Sequence, residues 1–225
     1  MTVIKICGTT TLNNALMCAT SGADLLGLNF YPPSPRYVTP EVARTITDGL
    51  RSELGAECPL LVGVFVNLDA SEVAQIMDTA GLDAAQLSGD ESPDMIAALR
   101  GRAYRAIRPR SMAEARQLAE TYLIHTPEDE RLPALLVDAY HKALYGGTGE
   151  QASVEVALAV REITPRLMLA GGLKPENVAE RAKAIKPWGV DVASGVESGT
   201  PGIKDQTAVR ALVDAVQSAR FSEMP

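Results

Sequence analysis

The stretch VIKICGTT, residues 3–10, decides how the rest of the chain is read: an apolar run, broken by one lysine, ends in a cysteine and a glycine. Successive side chains of an extended chain point to opposite faces, so Ile4 and Ile6 share one face while Lys5 and Cys7 share the other. The isoleucines suit a surface covered by helices. Lys5 then lies inside and Cys7 at an open end, as in a parallel sheet closed on itself, provided that similar runs recur.

Working outward, they do. The further runs are LLGLNF (25–30), LLVGVFV (60–66), DAAQL (83–87), AYRAI (103–107), PALLVD (133–138), LMLA (167–170) and VDVA (190–193). Their Val, Leu and Ile content suits strands covered on both faces. Helical periodicity fills the intervals at Pro40 to Leu54, Ser71 to Ala80, Ser111 to Tyr122, Ser153 to Ile163, Pro175 to Ile185 and Gln206 to Arg220. Pro40 and Pro175 stand where a helix would begin, a position that tolerates a missing N–H. Eight alternations without a linker predict one α/β domain, a (β/α)8 or TIM barrel over residues 1–220, with 221–225 a short C-terminal tail. A doubly wound open sheet competes, but the chain has no G-x-G-x-x-G after the first run and no G-x-x-x-x-G-K-[ST].

Composition narrows the function. With 46% hydrophobic and 22% charged residues the chain reads as an ordinary globular protein, and its net charge of -7 argues against nucleic acid or an anionic membrane as partner. Three cysteines without paired spacing fit a reducing compartment, and two isolated histidines do not suggest a zinc site. Without a leader pattern or an apolar run of ~20 residues, a cytoplasmic protein is expected.

A barrel carries its site at the carboxyl ends of its strands. There the sequence places Cys7, Arg36, Asn67, Gln86 with Ser88, Arg108, Asp138, Gly171-Gly172 and Ser194-Gly195. Each has a plain alternative. Cys7 is either a small buried hydrophobe or a thiolate that takes a proton from carbon. Asp138 shares parity with Leu136 and points into the mouth, as a turn cap or as an acid. Arg36, in the proline-stiffened YPPSPRY, is a solvated arginine or a carboxylate ligand. The glycines of LAGGLKPENV and VASGVE make turns, or bring backbone N–H groups to a phosphate. YGGTGEQ (145–151), with Gly147 and Gly149, reads as a flexible loop or as a lid. Asp191 shares parity with Ala193. In a closed barrel its strand neighbours the first, so Lys5 and Asp191 are expected to pair, an unpaired buried charge being costly.

Together these residues resemble the phosphoribosylanthranilate isomerases of tryptophan biosynthesis. The likeness rests on KICG (5–8), GAD (22–24), SPRYVTPEVA (34–43), GVFVN (63–67), QLSGDE (86–91), VDA (137–139), GGTG (146–149), LAGGLKPENV (169–178), GVDVASGVE (189–197) and GIKD (202–205). The resemblance implies a cofactor-free barrel isomerase acting on a phosphorylated aminosugar by an Amadori rearrangement. It implies Asp138 as general acid, Cys7 as general base and Arg36 on the anthranilate carboxylate. Gly147, Gly149, Gly171, Gly172, Ser194 and Gly195 would contact the substrate, with Lys5, Gln86 and Asp191 in support. Monomer and homodimer both stay open. The chain departs from the family pattern at Ser88, where histidine is usual, at Ala193, where serine is usual, and at Glu150-Gln151-Ala152-Ser153, which replaces a Phe-Asp-Trp element. The competing functions are a Schiff-base phosphosugar lyase using Lys5 and a non-catalytic sugar-phosphate binder.

Overall fold

The computed structural model describes residues 2–138 and 153–221. Eight parallel strands close into a barrel in chain order: β1 (Val3–Cys7), β2 (Leu25–Asn29), β3 (Leu60–Phe65), β4 (Ala84–Leu87), β5 (Ala103–Ile107), β6 (Leu135–Val137), β7 (Leu167–Leu169) and β8 (Gly189–Val192). Closure is made by β8 against β1, where Lys5 stands opposite Asp191. Helices α1 (Leu12–Thr20), α2 (Pro40–Leu54), α3 (Ala70–Ala80), α4 (Pro93–Ala98), α5 (Met112–Tyr122), α6 (Val154–Arg161), α7 (Val178–Ile185) and α8 (Gln206–Phe221) form the outer ring.

Strand parity divides the apolar residues into two layers. Ile4, Ile6, Leu26, Leu28, Leu61, Phe65, Leu135 and Val190 face outward and pack under the helices. Leu25, Val62, Ala84, Tyr104, Leu136 and Met168 fill the interior. Each large outward side chain so buried contributes roughly 1.5–3 kcal/mol, so a one-residue slip of any strand would be costly.

Every predicted strand is found, to within a residue or two at its ends. Pro40 heads α2 as expected, after an N-cap at Thr39 whose side chain accepts from Val42 N. Pro175 does not head α7, which starts at Val178. There the Asn177 side chain accepts from Lys174 N and donates to the Gly172 carbonyl, both at 2.9 Å, so local side-chain bonds hold residues 172–177 as a loop. The periodic stretches named above omit α1 and α4. α4 is only 6 residues long, too short to show an apolar stripe. α8 runs through Phe221, past the expected boundary at 220. Gly147, Gly149 and the rest of the YGGTGEQ stretch lie outside the described residues, as do 222–225.

Candidate active site

The carboxyl ends of the strands surround one pocket. Cys7, Arg36, Gln86, Asp138, Gly172 and Gly195 all line it, and so do Gly171, Asp191 and Ser194. Of the residues expected there, Asn67 is the exception. Its backbone takes a positive φ of 55°, its side chain accepts from Asp90 N at 2.6 Å, and its N–H donates to Glu91 at 2.8 Å. Asn67 therefore shapes the loop after β4 and does not line the pocket.

The floor of the site is a polar chain inside the barrel. Lys5 is fully buried and donates to Asp191 Oδ2 and to Gln86 Oε1, both at 2.9 Å. The Tyr104 hydroxyl donates to the same Gln86 oxygen at 3.0 Å, and Gln86 Nε2 donates to Ser88 Oγ at 3.1 Å. Burial alone would lower the Lys5 ammonium, but Asp191, Cys7 and Tyr104 together more than offset it and the group is held protonated. Asp191 Oδ1, also buried, has no partner among the described residues and belongs to a side chain that lines the pocket.

Cys7 sits at the mouth opposite Gly27 of β2, where an added Cβ would come within 2.7 Å of its Sγ. The bare backbone of β2 thus makes room for the thiol. Burial pushes that thiol above its ordinary range, Lys5 and Lys204 oppose the rise, and Asp191 adds to it. Asp138 follows β6 across the mouth, its backbone N–H donating to the Ile107 carbonyl at 3.0 Å.

Arg36 reaches the pocket from the loop after β2, yet its guanidinium is already engaged. Nε and Nη2 donate to the two oxygens of Glu197, each at 2.7 Å, leaving Nη1 and the second Nη2 proton for a ligand. Burial would raise the Glu197 carboxyl, but Arg36, the Gly202 N–H and Lys204 together hold it at about 2. Glu197 and Lys204 stand in the quoted GVE and GIKD stretches, but nothing in their spacing says that they meet.

The loops after β7 and β8 touch. A Cβ on Gly195 would fall inside the contact radius of the Leu173 carbonyl oxygen, so only glycine lets the short 3-10 turn Ser194–Val196 lie against residues 173–174. On the far side the loop after β4 is fixed by a buried ion pair. Arg105 Nη1 donates to Glu91 Oε2 at 2.6 Å and to the Leu87 carbonyl at 2.8 Å. Tyr122 lies 5.1 Å from the Arg105 guanidinium and donates its hydroxyl to the Glu91 carbonyl at 2.8 Å. Among the described residues no cluster suited to a metal ion occurs, and no helix is long and apolar enough to cross a membrane.

A site of this build has relatives. The family model of N-(5'-phosphoribosyl)anthranilate isomerase matches residues 4–215. The N-(5'-phosphoribosyl)anthranilate isomerase of Citrifermentans bemidjiense is 42% identical over 213 residues, spanning 95% of this chain and 96% of that protein. The Chlorobaculum tepidum protein of the same name is 42% identical over 226 residues, spanning 97% of this chain and 96% of its own. Among solved structures, phosphoribosyl anthranilate isomerase from Thermotoga maritima superposes with a TM-score of 0.83 at 31% identity, covering 97% of this chain and 100% of that one. Another phosphoribosyl anthranilate isomerase, solved in complex with reduced 1-(o-carboxyphenylamino)-1-deoxyribulose 5-phosphate, has a TM-score of 0.80 at 30% identity, with coverage of 97% and 100%. On sequence over almost its whole length and on fold, the chain belongs to the N-(5'-phosphoribosyl)anthranilate isomerase family.

Proposed function

We propose that the protein converts N-(5'-phosphoribosyl)anthranilate into 1-(2-carboxyphenylamino)-1-deoxyribulose 5-phosphate, in tryptophan biosynthesis, with Asp138 as acid and Cys7 as base. What carries the reading is that these two side chains line one pocket, in a chain of this family. Asp138 donates a proton to the furanose ring oxygen as the bond from that oxygen to C1 breaks, and the nitrogen lone pair forms a C1=N Schiff base. Cys7, as thiolate, removes the proton from C2. The electron pair of that C–H bond becomes C1=C2 and neutralises the nitrogen. Proton loss from the C2 hydroxyl and protonation of C1 then give the ketone, so C2 is oxidised and C1 reduced with no outside electron carrier.

Arg36 offers its remaining N–H groups to the anthranilate carboxylate. The loops at 171–172 and 194–195 hold the phosphate with backbone N–H groups, as the loops after the last two barrel strands frequently do. Gly147 and Gly149 belong to the same assignment. Lys5, Gln86 and Asp191 support Cys7 from below.

The Schiff-base lyase is the weaker reading. Lys5 is fully buried, charged and bound to two acceptors, which leaves its nitrogen no lone pair to attack a carbonyl. The test is to follow the fluorescence of phosphoribosylanthranilate on adding the purified protein without cofactor. A decay that scales with enzyme, giving the aminoketose phosphate, is expected. A flat trace, with the substrate recovered intact, overturns the assignment.

A further inference from the structure

Behind the pocket wall lies a second ionic cluster, outside the lining. Lys204 is fully buried, and its Nζ donates to Glu197 Oε1 at 2.9 Å and to the Ala193 carbonyl at 3.0 Å. Glu197 also accepts from Gly202 N at 2.8 Å and from Arg36 through both oxygens. Glu197 and Lys204 face each other across an isolated antiparallel bridge. Asn14 on α1 bonds both the N–H and the carbonyl of Lys204. The stem of Arg36 in turn crosses Gly8, where an added Cβ would come within 2.5 Å of its Cδ. Residues next to Cys7, the guanidinium and the buried pair are thus one contiguous block.

We propose that Glu197 and Lys204 are positioning residues of the isomerisation: Glu197 fixes the plane of the Arg36 guanidinium at the pocket wall, and Lys204, bonded to Glu197 and to the Ala193 carbonyl, holds Glu197 in place for it. The proposal rests on the reading of Arg36 as carboxylate ligand. A long arginine on a loop has many rotamers. Two parallel N–H bonds to one carboxylate leave it one orientation, with its other edge presented to a ligand.

The charge balance fits this arrangement: Glu197 is shared between Arg36 and Lys204, so that cluster keeps one positive charge in excess.

The test uses Glu197→Gln and Lys204→Met, each checked for folding by thermal melting. Glu197→Gln should raise KM for phosphoribosylanthranilate about tenfold, as one charge-assisted bidentate contact is loosened, with a smaller change in kcat, and Lys204→Met should move KM in the same direction by less. Should Glu197→Gln fail to fold, Glu197→Asp, which keeps the charge but shortens the reach, carries the same readout. An unmoved KM in a folded Glu197 variant overturns the proposal, and an unmoved KM in Lys204→Met removes Lys204 from it. A wild-type protein without turnover would instead defeat the underlying reading.

Discussion

Cys7 is poised between opposing influences. Its burial favours the neutral thiol, two lysines favour the thiolate, and Gly27 gives the sulfur room without adding a contact on that side. General-base efficiency is greatest when the pKa lies near the working pH, so burial works against Cys7 as a base and the cations beside it work for it. Cys7→Ala should therefore cut kcat by ~10²-fold or more while KM and the melting temperature stay near wild type. Asp138→Asn should be as damaging, because an amide keeps the shape but delivers no proton. Steady-state kinetics with phosphoribosylanthranilate decide both. Turnover within a few-fold of wild type in either variant removes that residue from the chemistry.

Among the elements, the loops after β7 and β8 act as one unit because Gly195 lets their backbones meet. Gly195→Ala must push residues 173–174 away from the turn at 194–196, and that opens the proposed phosphate cradle. The expected result is a KM at least about tenfold higher with a modest change in melting temperature, since a loop contact rather than core packing is lost. An unchanged KM would detach these loops from the phosphate. At this scale much of the fold was legible. Short Val-, Leu- and Ile-rich runs alternating with helical periods suit strands buried on both faces, and the parity of VIKIC and VDVA correctly set Lys5 against Asp191. What stayed hidden depended on contacts that no local pattern encodes. Asn177 diverts the start of α7 with side-chain bonds, and α4 is too short to show its period. Arg36 could be placed at the mouth, but not the carboxylate that already holds it, because Glu197 is 161 residues away in the chain.

For the molecule as a whole, the Glu197 cluster links stability to acidity. Its carboxyl sits at about 2 in the folded protein against an ordinary 4.5, so the folded state binds that proton less readily than the unfolded chain does. The stabilisation is complete above the ordinary value and is lost as the pH falls from there toward the folded one. Urea unfolding at about pH 5 and at about pH 3 should show wild type losing more stability between the two than Glu197→Gln, which has no proton to take up. Equal losses would mean that the cluster is not coupled to folding.

Because the last strand of the barrel pairs with the first, the order in which a ribosome makes the chain matters. Lys5 emerges 186 residues before Asp191, and Lys204 and the hairpin around it come later still. At roughly 5–20 residues per second, β1 waits on the order of 10–40 s for the strand that neutralises its lysine. Throughout that interval β1 lacks the strand it pairs with on one side, and Lys5 lacks the carboxylate beside it. A stalled or truncated product lacking β8 would have neither Asp191 nor the strand that closes the barrel on β1, so the pocket wall is finished only when synthesis nears its end.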